Sequence, residues 1–264
     1  MLPRRAPSRS RPHPFPGPSR RRRTIPRSSA VSVGRILTSG GASLGVDLSS
    51  RQSHLLERYV GLVLEWSSRL NLSGVRTEEE AARVLVLDAL ACLAPLPHHG
   101  TLVDLGSGAG TPGVPIAVAR PELRVTLVDA SRKKAGFLAV AVRELGLVNA
   151  EVLHARAEEV GRAPAHRERH DAVTARALAA LSVLAEYALP LLRIGGVAVF
   201  PKTRRASEEV ARAAGAVALL GGASGPDVRP LPSGGDVIIM RKAGPTPDRY
   251  PRRPGVPARR PLRL

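Results

Sequence analysis

The 264 residues allow one large or two small domains, and aromatics at only 3% leave the core to Leu, Val and Ala. The single cysteine, Cys92, excludes an internal disulfide and fits a reducing compartment, and no uninterrupted apolar run reaches the ~18 residues of a membrane span. The formal net charge of +18 sits at the two ends: residues 1–46 hold ten arginines and no acid, and residues 241–264 hold eight basic residues against Asp248 alone. A near-neutral body between basic arms points to a polyanionic partner.

Residues 1–46 form a basic Arg/Pro/Ser arm too poor in large apolar residues for a core, and are expected to be disordered. The composition suits an organelle transit segment, translated upstream sequence or a non-specific nucleic-acid arm, and does not choose among them. From Ser49 the pattern changes. Leu55, Leu56, Tyr59, Val60, Val63, Trp66 and Leu70 keep one apolar stripe at helical spacing, with Trp66 read as a packing residue. Thr77-Glu-Glu-Glu80 reads as a capping box, and Ala81 to Leu93 as a second helix stopped by Pro95, with Cys92 in its core face. Residues 47–97 thus make a small helical cap, ahead of a domain over 98–243 and a basic tail over 244–264.

The stretch Thr101 to Gly113 organises the rest. Four apolar residues surround Asp104, and glycines follow at 106, 108, 110 and 113, with Pro112 and Pro115 beyond. The pattern predicts a buried strand, a tight turn and a helix whose first turn is set by proline. Bare backbone at a helix N-terminus lets N–H groups approach a ligand. Residues 108–113 spell G-x-G-x-x-G, the dinucleotide pattern, while 104–110 spell D-x-G-x-G-x-G, in which the acid suits the cationic amino-acid end of S-adenosylmethionine.

Strands and helices then alternate. Val125–Asp129 is a strand; Ser131 caps a helix that runs through Leu145 and ends at Gly146. The strands Glu151–His154 and Asp171–Ala175 follow, then a helix from Leu178 to Leu191. Gly195-Gly196 introduces the strand Val197–Phe200, Ser207–Ala214 is a helix, and Asp236–Arg241 is an apolar closing strand. Alternating βα units imply a doubly wound parallel sheet with an antiparallel edge. Asp129 ends the second strand 23 residues after Gly106, close to the ~20-residue spacing of an acid that binds ribose hydroxyls. Ala157-Glu158 follows the third strand, where backbone groups reach an adenine edge. Arg176, at the end of the fourth strand, suits the donor's carboxylate or a phosphate. The seven histidines show no metal-building spacing, and no nucleophile–base pair declares itself.

Several pieces recur in one order: Asp104-Leu-Gly-Ser-Gly-Ala-Gly-Thr-Pro-Gly-Val-Pro115, Leu127-Val-Asp-Ala-Ser-Arg-Lys-Lys134, Glu144-Leu-Gly-Leu-Val-Asn149, Arg156-Ala-Glu158, Ala175-Arg-Ala177 and the arginine–proline tail from Arg249 to Leu262. With Trp66-Ser-Ser-Arg-Leu-Asn-Leu72 upstream, they resemble the RsmG (GidB) family of bacterial small-subunit rRNA guanine-N7 methyltransferases over about residues 55–262. The resemblance implies a class I, Rossmann-like seven-stranded α/β fold with helices on both faces. It implies S-adenosylmethionine as donor, no metal and no membrane, and cytoplasmic action on a guanine in the 530 loop of 16S rRNA or the small ribosomal subunit. Donor contacts carry over onto Gly106, Thr111, Ala157, Glu158 and Arg176, beside Asp104, Gly108, Gly110 and Asp129 from the turn itself. Lys133, Lys134, Lys202, Arg252, Arg253, Arg259 and Arg260 are assigned to RNA phosphates. Three departures stand out: Thr111 replaces a large apolar residue, Val84-Leu85 an Arg-His pair, and Lys202-Thr203 a Lys-Gly pair. The competing readings are a nicotinamide-dependent oxidoreductase using the literal G-x-G-x-x-G, and a non-catalytic RNA-binding module.

Overall fold

The computed structural model describes residues 32–202 and 206–262, so the expectation of disorder over 1–31 and the Thr203 departure lie outside the described residues. The cap starts earlier than 47. Helix α1 (Val33–Ser43) is capped by Ser32 and buries Ile36 and Leu37. An arm ending at residue 46 is therefore too long, because these two side chains form a one-sided stripe that needs a partner surface. Helix α2 (Ser50–Leu70) opens on a reciprocal capping box between Ser49 and Gln52 and stops at Asn71, whose φ of 47° breaks the helical run. Helix α3 (Glu78–Ala81) is capped by Thr77, whose hydroxyl accepts the Glu80 N–H. The Glu80 carboxylate reaches the Arg76 N–H instead of closing the box on Thr77. The chain then widens into a π-helical segment, Ala82–Leu87, before α4 (Asp88–Ala91).

Seven strands follow: β1 (Gly100–Leu105), β2 (Leu123–Asp129), β3 (Ala150–His154), β4 (His170–Ala175), β5 (Leu192–Lys202), β6 (Asp227–Pro230) and β7 (Asp236–Arg241). Their order is β3-β2-β1-β4-β5-β7-β6, parallel except where β7 runs antiparallel to β5 and β6. This is the class I methyltransferase sheet with its antiparallel edge. Between the strands lie α5 (Gly113–Ala119), α6 (Arg132–Leu145), α7 (Ala157–Arg162), α8 (Leu181–Ala188) and α9 (Ala206–Leu219). Helix α8 begins later than the expected Leu178, because residues 176–180 leave β4 as a loop on which Ala177 takes a φ of 51°.

Alternation along the strands divides the apolar residues between two cores. Leu102, Leu127, Val197, Val199 and Ile239 face the cap side with Phe137 and Leu56. Their neighbours Val103, Val128, Ala198, Phe200 and Ile238 face α8 and α9 on the other side. Trp66 packs tilted against Phe137 at 5.8 Å between ring centres, as a packing residue does, and Cys92 is buried.

The basic tail is fastened to the body. Arg167 donates to the Tyr250 and Thr246 carbonyls at 2.6 and 2.8 Å, and Glu168 accepts the Thr246 N–H at 2.8 Å. The tail ends in a short turn of helix, α10 (Val256–Arg259), with Gly255 at a φ of 78° before it.

Candidate functional site

The crevice lies where the strand order reverses. β1 has β2 on one side and β4 on the other, so the glycine turn after β1 and Arg176 after β4 border the same gap. Ligands bind at such switch points because the two loops diverge there.

The turn is held from beneath by Asp104. Its carboxylate is completely buried and accepts the Gly113 N–H at 3.2 Å and the Thr174 hydroxyl at 2.9 Å. Burial lifts its carboxyl up to about 6, against these two hydrogen bonds. Asp104 does not line the cavity above it, so the sequence reading that set this acid against the donor's cationic end is corrected. Gly113 explains why the acid sits there. A Cβ at 113 would meet Leu127 Cδ2 at 2.4 Å and Asp104 Oδ2 at 2.7 Å, so only a bare residue lets the N–H reach the carboxylate. From the cap, Tyr59 donates its hydroxyl to the Ala109 carbonyl at 3.0 Å, and burial raises its pKa so that the phenol keeps its proton. The Thr111 hydroxyl donates to the Leu85 carbonyl at 2.8 Å. Two of the departures from the family pattern therefore touch each other, and they tie the turn to the π-helical segment.

Above the turn lies a cavity of about 600 Å³. Its floor is Gly106 to Ala109 with Thr111; its roof is the cap loop from Asn71 to Val75 with Val84 and Leu85; Lys134, Arg176 and Ala177 close the sides. Gly108 has a φ of 52°, and a Cβ there would meet only the Gly106 carbonyl at 3.7 Å and Lys134 Nζ at 4.0 Å, so it would project into the cradle. Asp129 lies at the flank. Its Oδ2 accepts the Gly108 N–H at 2.9 Å and its Oδ1 the Ser131 N–H at 2.8 Å. Asp129 thus fixes Ser131, the residue ahead of α6, whose own side chain makes no capping bond.

Of the predicted donor residues, Gly106, Gly108, Thr111 and Arg176 line the cavity. Asp104, Gly110, Asp129, Ala157 and Glu158 do not. The Glu158 side chain is turned elsewhere: its buried carboxylate accepts the Gly255 N–H at 2.7 Å and so holds the tail. Any donor contact from Ala157 and Glu158 falls to their backbone.

Arg176 is held on two sides. Its Nη2 lies 3.1 Å from Asp88 Oδ2, and its Nη1 donates to the Val84 carbonyl. Among the expected phosphate contacts, Lys133, Arg253 and Arg260 are exposed and Lys134 faces the cavity. Arg252 is a correction: its guanidinium and its backbone N–H all bond the fully buried Glu186, at 2.6 to 3.1 Å. A carboxylate with no solvent must keep its cation, so Arg252 anchors the tail and is not free for RNA. Lys202 is likewise engaged, by the Ala179 carbonyl at 2.8 Å and Glu209 at 2.9 Å, and Arg259 Nε reaches back to the Gly255 carbonyl at 3.3 Å.

Residues 52–224 match the family model GidB, described as rRNA small subunit methyltransferase G. The chain belongs to this family. Membership makes it an rRNA methyltransferase with S-adenosylmethionine as donor. The ribosomal RNA small subunit methyltransferase G of Pelotomaculum thermopropionicum is 44% identical over 84% of this chain and 96% of its own length. That of Rubrobacter xylanophilus is 46% identical over 83% and 87%. Among solved structures, the [4+2]-cyclase SpnF superposes with a TM-score of 0.52 at 14% identity over 72% of this chain and 94% of its own, a likeness of fold. Sequence reasoning gave Tyr59 only a packing place on the apolar stripe; its bond to the glycine turn comes from the cap, where no local motif signals it. Among the described residues no helix is long and apolar enough to cross a membrane, and no three His, Cys, Asp or Glu gather as metal ligands.

Proposed function

We propose that this chain transfers the donor's methyl group to N7 of a guanine in the 530 loop of 16S rRNA, acting in the cytoplasm on the RNA or the small ribosomal subunit. The observation that carries the reading is the 600 Å³ cavity over the bare Gly106–Gly108 backbone, with Arg176 at its side, in a chain of this family.

The residues fit the donor. The backbone from Gly106 to Gly108 gives close approach, Asp129 at the flank retains lone pairs for ribose hydroxyls, and Arg176 suits the amino-acid carboxylate. When bound, S-adenosylmethionine supplies an electrophilic methyl group on a positively charged sulfur. The remaining work falls to the protein and is chiefly positional. Guanine N7 carries an in-plane lone pair in the neutral base, so no proton must be removed before attack, and no general base is required. Alignment replaces a bimolecular encounter by a positioned one. The Asp104–Gly113 and Tyr59–Ala109 bonds fix the turn beneath the cap loop.

Exposed Lys133, Arg253 and Arg260, with Lys134 at the cavity rim, are assigned to RNA phosphates. Calorimetry with S-adenosylmethionine and with NAD separates this reading from the oxidoreductase. Binding of the first and transfer of its methyl to small-subunit RNA is the expected result; NAD binding, or donor binding without transfer, contradicts it.

A further inference from the structure

A second cavity, of about 380 Å³, adjoins the first. Its volume is in the ~300–1,000 Å³ range of small-ligand sites. It lies on the β4–β5 side of the switch point, between Pro201 and Lys202 at the end of β5 and the loop Leu231 to Gly235 that joins β6 to β7. Arg176 and Ala177 line both cavities and so form their common wall. Ala177 is held there in a left-handed conformation, strain of the kind that collects where a loop must serve a ligand.

One buried carboxylate controls that wall. Asp88 has no solvent exposure; besides Arg176, it accepts the Ser233 hydroxyl at 2.7 Å and the Ser233 N–H at 3.1 Å. Asp88 therefore joins the cap, the arginine after β4 and the loop over the second cavity. With Nη2 on Asp88 and Nη1 on the Val84 carbonyl, both terminal nitrogens of Arg176 are drawn toward the cap.

That restraint has a chemical consequence for a guanine acceptor. An unrestrained arginine commonly binds guanine through O6 and N7 together. Such a contact would occupy the lone pair that has to attack the methyl group. We propose that the second cavity receives the acceptor guanine, swung out of its stack, and that Asp88 is a positioning residue that keeps Arg176 off the N7–O6 edge. The inference rests on the N7 methyl-transfer reading. Leu231 and Pro201 offer the base an apolar wall; the Gly234 N–H and the Gly235 carbonyl are spent on Leu231, which leaves the Gly234 carbonyl and the Gly235 N–H for its polar edge.

Asp88→Asn tests the restraint, because the amide keeps partners for Ser233 while losing the charge that holds Arg176. The expected result is a fall in kcat on the order of 100-fold, with the KM for small-subunit RNA not raised and S-adenosylmethionine affinity by calorimetry unchanged. An unchanged kcat, a raised KM for RNA, or lost donor affinity would overturn the inference. The pocket itself is tested on wild-type protein, whether or not the variant folds. Guanosine 5′-monophosphate added with S-adenosylhomocysteine shifts the backbone amide resonances of Gly234 and Gly235; if they stay in place, the assignment is wrong. In the same assays wild-type protein that methylates a position other than guanine N7 refutes the underlying reading separately.

Discussion

Arg252→Ala separates the tail as a fastened element from the tail as a free basic arm. Glu186 is completely buried and, among the described residues, Arg252 is the cation that pairs with it, through three side-chain contacts of 2.6 to 3.1 Å. Removing one member of a buried pair leaves a desolvated charge, at about 3–5 kcal/mol. The lower end applies, because the arginine side chain is 25% exposed and its backbone N–H, 2.8 Å from Glu186 Oε1, survives the substitution. A loss of about 3 kcal/mol corresponds to a fall of roughly 6–12 °C in Tm for a body of this size. Urea and thermal unfolding measure it. The double variant Glu186→Gln with Arg252→Ala removes the stranded charge and should recover more than half of the loss. The salt dependence of RNA binding, measured where the variant is folded, should match wild type. If Arg252→Ala left Tm unchanged and flattened the salt slope, the anchoring role would be wrong and the phosphate role restored.

Arg253→Ala and Arg260→Ala should behave in the opposite way, leaving Tm unchanged while each lowers the slope of log affinity against log salt by roughly 0.7. Titrations at several salt concentrations check this, and an unchanged slope would remove that arginine from the RNA surface. Gly108→Ala and Gly113→Ala should also part company. At 108 the new Cβ meets nothing closer than 3.7 Å, so the positive φ destabilises by only about 1 kcal/mol while donor affinity falls. At 113 the Cβ collides with Leu127 and Asp104, and the variant should not reach the wild-type fold, as circular dichroism and unfolding curves would show. Two groups set opposing pH slopes. Asp104, raised from 3.8 to about 6, holds its proton more tightly when folded, so its contribution declines as pH rises from about 4 to 6, by about 3 kcal/mol. His170, lowered from 6.5 to about 4 by burial and by stacked His166, contributes stability above pH 6.5 that is lost as pH falls toward 4, by roughly 2 kcal/mol after solvent screening. Unfolding from pH 4 to 7 of Asp104→Asn and His170→Asn should remove one slope each; parallel curves for wild type and variants would contradict the assignment.

The sheet was legible because its signals are local. The apolar runs of β1, β2, β4 and β7 and the glycine turn each declare themselves within a few residues. β6 does not, since all four of its residues are exposed and it offers no alternation to read. Helix α1 is hidden in the sequence because its short apolar stripe lies at the end of the arginine-rich, acid-free stretch 1–46. A Cβ at Gly40 would lie 2.6 Å from Leu87, so the glycine serves close helix approach. At the site, the order Asp-Gly-Gly-Gly located the turn, but not which groups touch a ligand. Asp104 and Arg252 were both read as side-chain contacts to a bound molecule, and each is a bond within the protein. Residue type reports that a carboxylate or guanidinium has a partner; only the fold reports which one.

The most direct test of methyl transfer to a guanine at this crevice is to incubate the wild-type protein with labelled S-adenosylmethionine and small-subunit RNA, then map the labelled base. The account predicts one modified guanine in the 530 loop, carrying the methyl on N7 and read by chain scission after reduction and aniline treatment. Label on another base or another atom, or donor bound with no label transferred, would contradict it.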